Sequence, residues 1–189
     1  MKLFKHALYL SLFALPLLTA CNKKGCTNPA ASNYAEEAIK EDGSCKYFTK
    51  FKITRIEVQE YDTLYFGDYY DDLDLTNADM YFELTDLNNN LIFASQETYF
   101  DAPANPVDEF EFDFSKDTTF NNLNVSLNFS FWDFDQITDD FGTQNDDLIH
   151  EETIDFQTYT ATNAQDKFPG RIEINTDKIE FDVYIQWLE

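Results

Sequence analysis

The sequence predicts an all-β fold, an eight-stranded antiparallel β-sandwich over residues 50–189. Three observations lead there. Apolar and small polar residues alternate without a break along Leu123-Asn-Val-Ser-Leu-Asn-Phe-Ser-Phe131, Ile179-Glu-Phe-Asp-Val-Tyr-Ile-Gln-Trp187 and Phe110-Glu-Phe-Asp-Phe114. A period of two buries one face of a strand and wets the other, which is the mark of an antiparallel sheet. Helical periodicity almost vanishes beyond residue 50. Turn chemistry then falls between the apolar runs, at Asp86-Leu-Asn-Asn-Asn90, at Pro103 to Pro106 and at Asn175-Thr-Asp177.

From the amino terminus, Lys2 and Lys5 precede an apolar run from Ala7 to Leu18. The run has the layout of a secretory signal and is shorter than the roughly 20 residues a membrane-spanning helix needs. It ends in Leu18-Thr19-Ala20-Cys21, which resembles the lipobox of bacterial lipoproteins. The resemblance implies that residues 1–20 are a signal peptide, that cleavage falls before Cys21, and that this cysteine carries lipid. The chain is then expected to be exported and anchored in the cell envelope, at the outer membrane, facing the periplasm or the cell surface. No later stretch is long and apolar enough to span a bilayer.

Residues 21–25 read as a tether, and a small module follows over residues 26–46. Of the three cysteines, lipidation of Cys21 leaves Cys26 and Cys45, which an exporting compartment permits to pair. The alternative, a pair of metal thiolates, lacks further cysteine and has one histidine, His150, after processing. Gly25-Cys26-Thr27, Pro29-x-Ala-x-Asn33-Tyr34 and Asp42-Gly43-Ser44-Cys45 resemble a short cysteine-bounded motif of secreted bacterial proteins. That resemblance implies a stapled loop and says little about activity.

About 140 residues follow, enough for one domain. Weaker strands at 51–61, 79–86, 91–96, 148–157 and 170–175 join the three clear ones to make eight. Eight suits two packed four-stranded sheets. The chain has net charge −23, and losing residues 1–20 removes two lysines and no acid, leaving 11 basic against 36 acidic residues. Such a surface repels nucleic acid and anionic lipid and favours cations. Charge of this size suits disorder, but 17% aromatic content points to a packed core.

Acids on strand faces, such as Glu109, Glu111 and Asp113, read as solubility and edge protection. Two further groups fall in expected loops: Asp68, Asp71, Asp72 and Asp74 with Asp79 after them, and Asp133 and Asp135 with Asp139, Asp140, Asp146 and Asp147. Acids this close repel one another unless a cation lies among them. Calcium, with six to eight oxygen ligands in irregular loops, is the better candidate over magnesium.

Three blocks in order resemble the C2 domain. Asp79-Met-Tyr81-Phe82 is similar to that family's Asp-x-Tyr-Val strand start, and Asn105-Pro106-Val-Asp-Glu109-Phe110-Glu-Phe112 to its Asn-Pro element. Leu123-Asn-Val-Ser-Leu leads to Trp132-Asp133-Phe-Asp135 and then to Asp147-Leu-Ile149, like its Asp-x-Asp pair and Asp-x-Ile-Gly close. The resemblance implies a C2-like sandwich with Asp79, Asp133, Asp135 and Asp147 as calcium ligands, joined by Asp72 or Asp74. The span from Asp133 to Asp147 exceeds the family's usual spacing, so Asp139 or Asp140 stands as an alternative to Asp147. His150 stands where the family usually has glycine.

The expected function is calcium-dependent binding of a partner by a lipid-anchored module that is not an enzyme. Basic residues that accompany phospholipid binding in that family are few here, so a protein or glycan partner is expected ahead of a membrane surface. The alternative is a metal-independent structural or adhesive lipoprotein. Tyr65, Phe66, Tyr69, Tyr70 and Phe141 are candidate contact residues or loop packing. Against an enzyme stand the lack of a Gly-x-Ser-x-Gly elbow, a His-Glu-x-x-His pair and a phosphate loop.

Overall fold

The computed structural model describes residues 23–65, 68–69, 77–104, 109–114, 118–135 and 146–189. The signal segment 1–20, Cys21, Asp72, Asp74 and Asp140 lie outside the described residues. The chain divides into a small unit that runs to Phe48, with Glu189, and a larger unit, Thr49–Leu188.

In the small unit, Cys26 and Cys45 form a disulfide with their Cα atoms 4.8 Å apart. Strand β1 (Lys24–Gly25) pairs in parallel with β2 (Lys40–Glu41). The motif residues have local physical jobs. A Cβ on Gly25 would meet the Ala38 and Ala35 methyls at 3.2 and 3.3 Å, tighter than side chains normally pack. Gly43 takes φ 80°, where a side chain is strained. Asn33 replaces missing strand partners, donating to the Ser44 carbonyl at 2.7 Å and accepting the Lys46 N–H at 2.8 Å.

In the larger unit the eight expected strands are all present. They are β3 (Lys50–Tyr61), β6 (Met80–Asp86), β7 (Leu91–Ala94), β8 (Phe110–Asp113), β10 (Ser126–Asp133), β11 (Asp147–Asp155), β12 (Arg171–Asn175) and β13 (Ile179–Leu188). Two-residue strands β4 (Leu64–Tyr65), β5 (Asp68–Tyr69) and β9 (Thr119–Phe120) lie between them. One sheet runs β11-β10-β6-β7 and the other β12-β13-β3-β8, with β9 also on β3; every pairing in both is antiparallel.

The sheets face each other through phenylalanines. Phe82 on β6 lies 5.8 Å from Phe112 on β8, and Phe131 on β10 lies 4.9 Å from Phe181 on β13. Met80, Phe82 and Leu84 alternate inward along β6, as do Leu127, Phe129 and Phe131 along β10, and all six are fully buried. At the β6–β7 turn, Asp86 Oδ1 accepts the Asn88 and Asn90 N–H groups while Asn89 takes φ 60°. That is Asx-turn chemistry. The Asn90 contacts hold the Asp86 carboxyl below its ordinary pKa.

The boundaries differ most at β10. The expected strand 123–131 is observed at Ser126–Asp133. Asn122 Oδ1 accepts the Asn124 N–H at 2.9 Å and turns the chain before Val125. At the far end the strand runs on to Asp133, so this acid is part of the sheet and not of a loop. Asp147, also expected in a loop, is the first residue of β11. A single helical turn, Gln157–Thr160, follows β11 behind the buried Phe156.

Candidate functional site

Strand register delivers three acids to one end of the β11-β10-β6-β7 sheet. On β10 the inward positions are Leu127, Phe129 and Phe131, and Asp133 is next in that series. Its side chain is therefore carried to the end of the core, where it is 1% exposed. Asp133 stands opposite Met80 on β6 and opposite Asp147 on β11. Asp79 precedes Met80 and is 8% exposed.

A buried carboxylate needs donors, and the backbone supplies them. Asp133 Oδ1 accepts the Asp79 N–H at 2.6 Å, and the Asp79 carbonyl accepts the Phe134 N–H at 2.9 Å. Asp79 Oδ1 in turn accepts the Asp101 N–H at 2.8 Å. Asp101, at φ 49°, accepts the Asn77 N–H at 3.0 Å. Two carboxylates thus lace the start of β6, the end of β10 and the segment around residue 101 together. Nearby, Asp146 Oδ1 accepts the Asp135 N–H at 3.2 Å, and Asp146 Oδ2 accepts the Tyr81 hydroxyl at 2.9 Å.

The local field is negative. Burial first, and then the bond to Asp146, pushes the Tyr81 phenol above its ordinary range. Burial and the Asp146 charge likewise raise the Glu83 carboxyl. Among the described residues no ion pair reaches Asp79, Asp101 or Asp146.

Of the acids named from sequence, Asp79, Asp133, Asp135 and Asp147 therefore share one end of one sheet. Asp72, Asp74 and Asp140 lie outside the described residues, as do Phe66, Tyr70 and Phe141. Sequence reasoning gave no role to Asp101 or Tyr81, and it counted Asp146 in the second acid group without naming it a ligand. An aspartate in a turn before Ala102-Pro103 was the available signal for Asp101.

No protein-family model matches the chain, and no curated protein matches it. Among solved structures, the chain is similar to a C2 domain of plant extended synaptotagmin 1. The two share 13% identity over 74% of this chain and 92% of that one, with a TM-score of 0.32. Likeness of that degree carries no functional information, so the chemistry has to be read from this chain's own donors.

Those donors are hard oxygens, which suit a hard cation such as calcium. Asp79 Oδ1 is committed to a backbone N–H, and both Asp146 oxygens are engaged. Among the described residues, three of these acids do not close to within mutual ligand distance. The trio that does is Cys26, Glu41 and Cys45. Its two sulfurs are bonded to each other, so they are not thiolate donors. Glu41 serves that loop instead, accepting the Thr27 N–H at 2.9 Å and the Thr27 hydroxyl at 3.1 Å.

Proposed function

We propose that the chain is an exported, lipid-anchored binding module, not an enzyme, whose acid-laced sheet end takes calcium and through it a partner. The observation that carries this reading is that register sets Asp133 opposite Asp147 and against Asp79, the residue before β6, at one end of one sheet, with Asp135 two residues beyond Asp133. Asp79, Asp133, Asp135 and Asp147 would hold the ion, and acids such as Asp72, Asp74 or Asp140 would supply further oxygens. Calcium held there would offset these carboxylate charges and would supply a Lewis-acidic contact for oxygens of a protein, glycan or phospholipid. The anchoring rests on Cys21 at the end of the apolar run, with residues 1–20 removed. The envelope location, at the outer membrane on its periplasmic or outer face, follows from that anchor.

The test is thermal unfolding of residues 22–189, prepared under oxidising conditions, in calcium, in magnesium and in excess chelator. A ligand that binds only the folded state at 100 times its Kd adds about 2.7 kcal/mol, a visible rise in Tm. Calcium should raise Tm, magnesium should not, and Asp135→Asn or Asp147→Asn should abolish the calcium increment. Asp133 is a poorer probe, because its side chain also holds the Asp79 N–H. Superimposable curves would instead leave a metal-independent structural lipoprotein.

A further inference from the structure

The two outward faces of the sandwich treat their acids differently. On the β12-β13-β3-β8 sheet, register sets Arg171, Tyr184 and Arg55 in one row and Glu173, Asp182, Glu57 and Glu111 in the next. Arg55 lies 3.9 Å over the Tyr184 ring and pairs with Glu111 at 2.6 Å and with Glu57 at 2.9 Å. Arg171 pairs with Glu173 and, at 2.9 Å, with Asp182. That face carries its own counter-charge.

The outer face of the β11-β10-β6-β7 sheet does not. Register there sets Leu148, Trp132 and Tyr81 in one row and Glu151, Ser130 and Glu83 in the next. These residues alternate with the buried Met80, Phe82, Leu84, Phe129 and Phe131, so they point away from the core. Asp146 joins them through the Tyr81 hydroxyl. Among the described residues, no lysine or arginine forms an ion pair with Glu83, Asp146 or Glu151. The Trp132 and Tyr81 rings lie 14° from parallel with centroids 6.5 Å apart, and Leu148 beside them is 40% exposed. The Trp132 indole N–H is buried without an acceptor among the described residues.

We infer that this face docks a basic polypeptide segment. Lysine or arginine side chains of the partner lie against the Trp132–Tyr81 pair and between the carboxylates of Glu83, Asp146 and Glu151. An aromatic face attracts a cation, more so where water is partly excluded. Three acids without a counter-ion among the described residues supply the complementary charge, as partner surfaces generally do. A neutral glycan would stack on the rings and leave all three carboxylates uncompensated. A second copy of this chain, itself at −23, brings the wrong charge. The docking does not depend on calcium at the neighbouring sheet end.

The chain has two tryptophans, and Trp187→Phe leaves Trp132 as the sole reporter. The test titrates this variant of residues 22–189, in chelator, with hexa-arginine, with an uncharged Gly-Ser hexapeptide and with a neutral glucose oligosaccharide. Saturable change in Trp132 fluorescence with hexa-arginine alone, weakening as salt rises, is the expected result. Glu83→Gln and Glu151→Gln should each weaken it about threefold, while Glu173→Gln, on the other face, leaves it unchanged. Equal weakening by all three variants would reduce the effect to net charge and overturn the proposal. A response to the oligosaccharide and none to hexa-arginine would overturn it in favour of a sugar, and no saturable response to any probe would overturn it outright. Far-ultraviolet circular dichroism of each variant checks that the sheet is intact.

Discussion

Asp133 and Asp182 are 1% and 2% exposed, and their sheets enclose them from opposite sides. Asp133 follows the inward parity of Phe131, and its Oδ1 accepts the Asp79 N–H at 2.6 Å. Asp182 points outward, between Arg171 at 2.9 Å and Gln59 at 3.0 Å. Burial raises the Asp182 carboxyl above its ordinary pKa, with Arg171 opposing the rise. A raised carboxyl favours the fold below its unfolded value and loses that contribution as pH rises through the folded pKa. The stability of Asp182→Asn relative to the parent should therefore climb from about pH 4 to about pH 7, as read by urea unfolding at both ends. A flat difference would mean that Arg171 fully offsets the burial. In the sequence, Asp182 looked like any wet-face acid of an alternating strand. Its enclosure depends on β12 and β3 lying on either side, which no local pattern records.

At the level of elements, β6 and β10 divide their residues among three places. Their inward residues build the core, their outward residues form the aromatic and acidic face, and their ends carry the acid-laced corner. Phe82 is the residue on which the two sheets close. Its ring lies within 6.4 Å of the rings of Phe93, Phe112, Phe114, Phe129 and Phe131. Phe82→Ala should cost about 3–5 kcal/mol in chemical denaturation, because the surrounding rings belong to two sheets and cannot collapse together. Strand identity was legible because alternation is a local property that pairing preserves. The end of β10 was not legible. Trp132-Asp133-Phe-Asp135 has the composition of a loop, and pairing with both Met80 and Asp147 keeps its start in the sheet.

The whole molecule is strongly anionic at −23, and self-repulsion of that size opposes compaction. Salt shortens the Debye length from about 10 Å at 0.1 M to about 3 Å at 1 M, so sodium chloride alone should raise Tm in chelator. The increment should be smaller once calcium is bound, if the sheet-end acids take the ion. Composition and alternation were enough for an all-β sandwich and its eight strands, and the cysteine pair with its motif for the stapled loop, because each of these is written in neighbouring residues; the candidate acids came from their clustering and from the C2 resemblance. Tertiary structure alone decided which acids meet and which are neutralised. Asp133 reaches Asp79 across 54 residues and Arg55 reaches Glu111 across 56, and register, a long-range property, sets both. The same register leaves Glu83, Asp146 and Glu151 beside Trp132 and Tyr81, without a counter-ion among the described residues.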